Sequence, residues 1–180
     1  MTVLLAKNRF VPMRVTTLCV AMMVSSSMSW AQLSSPIAGG VPMGSGPGVH
    51  SPNSQFPPLQ ERADVLPWSM LSGVKTKVVK KKVLPEFPPE VLALNDKMQR
   101  VHGFMMPLDP GEKQIHFLLT SVPLTCPFCM PGGPESMVEV KTKTPVRYTM
   151  EPVVVEGTLA VLGDDAYGLY YRIADGKQVK

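Results

Sequence analysis

From Trp68 onward the apolar positions fall into short runs broken by Pro and Gly, and most of them alternate with polar residues as half-buried strands require. Met98 to Met106 and Gln114 to Val122 flank Asp109-Pro110-Gly111, a turn signal, and are predicted to form a hairpin. Met137 to Lys143, Pro152 to Val161 and Tyr167 to Ile173 supply three further strands. Val153, Val154 and Val155 read as a buried strand that meets Gly157, where a barrel strand bends or bulges. Val74 to Val83 mixes Val and Thr with Lys75, Lys77, Lys80, Lys81 and Lys82, the pattern of a single exposed edge strand. Pro88 to Leu94 opens with proline and carries an early acid, Glu90, before Asn95-Asp96, which predicts one short helix.

Five strands after that helix predict an all-β domain over residues 68–180, a small five- to six-stranded OB-like barrel with one short helix. Closure removes exposed sheet edges, which favours the barrel over its competitor, a two-layer sandwich. Phe104, Phe117, Leu119, Val138, Leu159 and Tyr170 are the expected inward-facing residues.

Two segments precede this domain. Residues 1–31 have a basic start through Arg14, an apolar stretch from Val15 to Val24, and small residues at Ser29 and Ala31, the pattern of a secretory signal peptide. Residues 32–67 hold seven Pro, five Gly and five Ser with no apolar period, which predicts a disordered tether. His50 lies in that tether and reads as a solvated residue. The expected location is therefore periplasmic or otherwise exported, after removal of the leader.

Length and charge then limit the classes of function. A chain of 180 residues, 44% hydrophobic, holds one domain of modest size. Its net charge of +4 comes largely from Lys7, Arg9 and Arg14; without residues 1–31 the balance is 15 basic against 14 acidic residues, or +1, so no nucleic-acid partner is expected. No apolar run reaches the roughly 20 residues of a spanning helix, so the chain reads as not membrane-spanning. There is no nucleophile elbow, phosphate-cradling glycine loop or His-Glu-x-x-His pattern, and the spacing of Glu135, Glu139, Glu151, Glu156, Asp164 and Asp165 singles out no carboxylate pair. An enzyme is the less favoured class.

The chemistry-bearing motif is Cys126-Pro127-Phe128-Cys129. Once Cys19 leaves with the leader, these are the two cysteines of the mature chain. Outside the cytosol such a pair is a disulfide, a metal-bound pair or a redox pair. Two thiolates supply half of a tetrahedral site, and His102 and His116, on the two arms of the predicted hairpin, are the candidates to complete it. Cys2His2 suits zinc; added sulfur from Met105, Met106 or Met130 suits copper(I). A thioredoxin-type redox site needs a helix beginning at the motif, and Met130-Pro131-Gly132-Gly133-Pro134 breaks helices. A structural disulfide, and for His102 a hydrogen-bonded wall position, are the plain alternatives.

The succession Trp68-x-x-Leu71, Phe87-Pro88-Pro89-Glu90-Val91-Leu92-Ala93-Leu94, Val101-His102-Gly103-Phe104-Met105-Met106-Pro107-Leu108, His116-Phe117-Leu118-Leu119, Cys126-Pro127-Phe128-Cys129, Val153 to Leu159 and Tyr167 to Arg172 resembles a family of exported bacterial proteins, domain of unknown function 3299. The resemblance implies an exported single domain with a barrel-like body and no established activity; the occurrence of members beside transport components points to an accessory role in metal or solute handling, with an envelope transport component as partner. Many members follow their cysteines with Pro-Pro and Asn; here Met130-Pro131-Gly132-Gly133-Pro134-Glu135 stands instead.

Overall fold

The computed structural model describes residues 46–180; the signal-peptide reading of residues 1–31 and the first part of the tether lie outside them. A short helix α1 (Trp68–Leu71) leads into strands β1 (Lys75–Val79) and β2 (Lys82–Glu86), then helix α2 (Pro89–Leu92). Strands β3 (Lys97–Pro107), β4 (Lys113–Thr120), β5 (Met137–Arg147), β6 (Val153–Val161) and β7 (Tyr171–Val179) follow, with a single 3-10 turn at Pro134–Ser136 before β5. The last five strands close into a barrel in the order β3-β4-β5-β7-β6. All its pairs are antiparallel except β5 with β7, so the OB-like barrel stands and the sandwich does not.

Period-two alternation fills the interior. Val101 and Met105 of β3, Phe117 and Leu119 of β4, Val138 and Val140 of β5, Val153, Val155 and Leu159 of β6, and Tyr171 and Ile173 of β7 form one cluster. Leu71 of α1 and Val91 of α2, both fully buried, join it, and the Tyr171 hydroxyl donates to the Leu71 carbonyl at 2.7 Å. Each such apolar side chain contributes roughly 1.5–3 kcal/mol of transfer free energy. Gly157 sits where β6 bulges between Glu156 and Thr158; a Cβ there would lie 2.7 Å from the Ala174 carbonyl, so any side chain would push β7 away.

Several expectations need correction. The stretch from Val74 to Val83 is not one edge strand: Lys80 (φ 48°) and Lys81 (φ 68°) occupy a two-residue turn that folds β1 onto β2. Lysine in the left-handed region costs about 1 kcal/mol per residue, so sequence preference alone hides this turn. The final strand begins at Tyr171, not Tyr167, because the Asp165 carboxylate accepts the Tyr167 and Leu169 N–H groups at 2.8 and 3.4 Å and holds them in a turn. Trp68–Leu71 is a helix the periodicity did not predict. Phe104 is buried as expected but faces out of the barrel, into a second cluster with Phe56, Val122, Cys126 and Cys129.

That second cluster also corrects the tether where it is described. Residues 46–67 form a strap against the barrel wall, held at separate anchors and not by a periodic face. Val49 and Met130 exchange two backbone hydrogen bonds, 2.8 and 2.9 Å. The Phe56 ring meets Phe104 edge-on with centroids 6.3 Å apart, and Leu66 N–H donates to the Arg100 carbonyl at 2.8 Å. Buried Glu135 accepts the Gly46 N–H.

Candidate functional site

The link from β4 to β5, residues 121–136, carries the cysteine pair. Cys126 N–H donates to the Pro123 carbonyl at 3.1 Å and Cys129 N–H to the Cys126 carbonyl at 3.3 Å, two successive turns that bring the cysteine Cα atoms to 5.4 Å. The sulfurs are joined in a disulfide. Both cysteines are buried against Phe56 and Phe104, and the Ser54 hydroxyl lies 3.3 Å from the Cys126 sulfur. Phe128, between them, and Met130, just beyond, are exposed. Strap and loop cross at glycines: a Cβ on Gly48 would meet the Gly132 nitrogen and the Met130 carbonyl, each at 2.9 Å, and Gly48 itself has φ 77°.

Beside this crossing, strap and β3 enclose a cleft of about 800 Å³ lined by Trp68, His102, His50, Leu59, Ser121 and Val122. Because Val101 and Met105 point inward, His102 and Phe104 share the outer face of β3. The Trp68 indole N–H donates to the His102 carbonyl at 2.8 Å. Gly103 allows this, since a Cβ there would sit 2.9 Å from the Thr120 carbonyl and 3.2 Å from the indole. His102 Nδ1 is buried with no hydrogen-bond partner. Burial lowers the His102 pKa, outweighing the opposite pull of the Gln60 backbone, and keeps the ring neutral near pH 7. His50, expected to be solvated, is half-buried in the cleft wall with Nε2 3.1 Å from the Phe56 carbonyl.

His116 belongs to a different place. It faces outward on β4, its Nε2 2.7 Å from Glu139 Oε1 on β5, and Arg172 of β7 pairs with the same carboxylate and, at 3.1 Å, with Asp165. Glu139 is 5% exposed. Burial pushes its pKa up, but the hydrogen bonds from His116 and Arg172, with the charges of Arg172 and Lys141, outweigh that and hold it below the ordinary carboxylate value.

The predicted ligand set is thus dispersed. His102 and His116 do share the outer face of the hairpin, but Met105 stands opposite Leu119, which sets His116 opposite Leu108, six positions from His102. That is roughly 20 Å along the strand at about 3.3 Å per residue. Among the described residues no three His, Cys, Asp or Glu side chains converge as a metal site. Sequence reasoning missed Phe56, Ser54 and the Glu139–Arg172–Asp165 network. A lone Phe in a Pro- and Ser-rich stretch was the available signal for the first, and cross-strand charges nothing local could align formed the last.

Two outcomes follow from this geometry. The disulfide closes a very short loop, worth about 2 kcal/mol by loop closure, and both cysteines are buried beside phenyl rings, so Cys126→Ser with Cys129→Ser should lower the urea midpoint. Hydrogen exchange at the Val49 and Met130 amides should also accelerate, because the loop they bond to has lost its brace; unchanged protection there would mean that the strap is held independently of the sulfurs. Glu139→Gln tests the ion network. A carboxyl whose folded pKa lies below its unfolded value, about 4.3, adds stability above that pH and loses it as pH falls through the folded value. The variant should therefore be less stable than the parent at pH 7 and converge with it in acid, as measured by urea unfolding across that range.

No curated protein matches the chain. A crystal structure of a DUF3299 family protein from Pseudomonas aeruginosa PAO1 is 22% identical with a TM-score of 0.39, over 53% of this chain and 68% of that one. The model of a family described as protein of unknown function (DUF3299) matches residues 64–168, from the end of the strap through the cysteine loop to the turn before β7. Covering more than half of the sequence, with Trp68, His102 and the cysteine loop among the matched residues, that match makes the chain a member of the DUF3299 family.

Proposed function

We propose that this protein is an exported binding module that holds an extended segment of a partner polypeptide in the cleft beneath the strap, with the Cys126–Cys129 disulfide as a staple. The cleft carries the reading: about 800 Å³ beside an indole, two imidazoles and proline-rich chain, next to a strand whose carbonyls already accept bonds from outside the sheet. Aromatic and proline surfaces of this kind grip extended chain, and polar groups at the wall set its register. An envelope transport component, the partner the resemblance implies, supplies such a segment in this proposal. Thiol-disulfide exchange fits less well, since the cysteines are buried among phenyl rings that disfavour a thiolate, and the helix that would stabilise one does not follow the motif.

Panning a random peptide library on the full chain tests this. Selected peptides should share a consensus and shift the NMR signals of the Trp68 indole and His102. Ser69→Trp, which fills the open wall of the cleft from an exposed position, should weaken them about tenfold or more. Peptides that bind the variant as tightly as the parent would remove the cleft as the binding surface.

One observation favours a second reading: exposed Met130 lies next to Cys129, so reduction would place three soft sulfurs within five residues, a donor set suited to copper(I), with zinc as the alternative if an imidazole is recruited. On the binding-module reading the oxidised chain takes up neither metal stoichiometrically. A one-to-one complex with the reduced chain, lost in the double Cys→Ser variant, would favour the metal reading.

A further inference from the structure

The hairpin of β1 and β2 stands apart from the barrel, pairing only with itself. All five residues of β1 are exposed, and across the sheet Val78 (74% exposed) faces Val83 (65% exposed). The register puts Thr76, Val78, Val83 and Pro85 on one face, and Lys75, Lys77, Val79, Lys82, Leu84 and Glu86 on the other, with Lys80 and Lys81 at the tip. Between Lys75 and Glu86 there are five lysines and one acid. Two of the lysines are paired, Lys77 with Glu86 at 3.8 Å and Lys82 with Asp164 at 3.0 Å; among the described residues Lys75, Lys80 and Lys81 meet no carboxylate. At its base Val74 and Phe87 pack against the barrel core and beside the tip Lys82 reaches Asp164, so what stays uncovered is the Val78–Val83 pair and the lysines of the turn.

We propose that this hairpin docks the domain on the anionic surface of a lipid bilayer. An uncovered aliphatic pair on a two-stranded hairpin is apolar area that a docking surface would remove from water. A bilayer interface accepts both halves of its chemistry at once. Val78 and Val83 enter the acyl boundary while the flexible lysine stems carry their ammonium groups back to the phosphates. Compact ammonium charges suit this diffuse field; an acidic protein surface would complement the charge but leave the valine pair without a pocket on either side.

Cosedimentation of the full chain with phosphatidylglycerol-containing vesicles, against pure phosphatidylcholine vesicles, tests the inference. Parent and variants share the same N-terminus, so residues before 46 contribute equally. Binding should require the anionic lipid and weaken with added salt. Lys80→Glu with Lys81→Glu should reduce it at least about tenfold. Val78→Ser with Val83→Ser should weaken it several-fold with the lysines intact, a change of stated direction that pure charge attraction would not produce. Variants that bind as well as the parent would overturn the proposal, as would a chain that ignores anionic vesicles but is retained by soluble polyglutamate, the outcome for an acidic macromolecular partner.

Discussion

Closing five strands into a narrow barrel forces each to run steeply around its wall, and β3 shows the consequence. Its residues 97–103 pair with β6, and from Phe104 onward it pairs with β4. The handover leaves the first half of β3 without a neighbour on the side where β4 has turned away. Backbone groups on that edge need partners, and the strap provides them: Leu66 to the Arg100 carbonyl and the Trp68 indole to the His102 carbonyl. The docking of the strap, and with it the cleft over the outward-facing His102 and Phe104, descends from this one topological demand. Gly103 stands at the handover, where the Thr120 carbonyl and the indole leave no room for a side chain.

The cysteine loop acts on the same strap from its other end. Where β4 departs, the chain must travel 16 residues before β5 begins, and its prolines and glycines form no regular structure of their own apart from the turn at Pro134–Ser136. Its shape comes from the disulfide, from the paired backbone bonds of Val49 and Met130, and from the Phe56–Phe104 contact. The disulfide contributes about 2 kcal/mol by loop closure and keeps a short loop at the geometry on which the strap can lie. Elsewhere on the wall the His116–Glu139–Arg172–Asp165 network ties β4, β5 and β7 through a hydrogen bond from β4 and ion pairs to β7.

Which parts were legible depended on the range of the determining interaction. Alternation at period two gave the barrel strands and placed Phe117, Leu119, Val138 and Leu159 inside, since each inward position is repeated two residues on. Phe104 points outward by that same alternation, opposite to Val101 and Met105, and is nevertheless buried because Phe56, 48 positions earlier in the sequence, covers it. The lysine turn at residues 80 and 81 was hidden because no Gly or Asn marks it. The same reason, contact at long sequence separation, hid the ordered strap: its anchors are single residues in a segment whose composition resembles a tether.

The amino-acid sequence by itself determined the five strands that follow the second helix, the placement of the two cysteines in a loop between the second and third of them, and the family. These are properties of local patterning and of order along the chain, and neighbours in sequence settle them. Which groups meet was left to the tertiary structure. It set His102 in a cleft with Trp68, gave His116 to Glu139, and kept the two imidazoles apart, because strand register and barrel tilt decide spacing across a sheet and neither is encoded in any one segment.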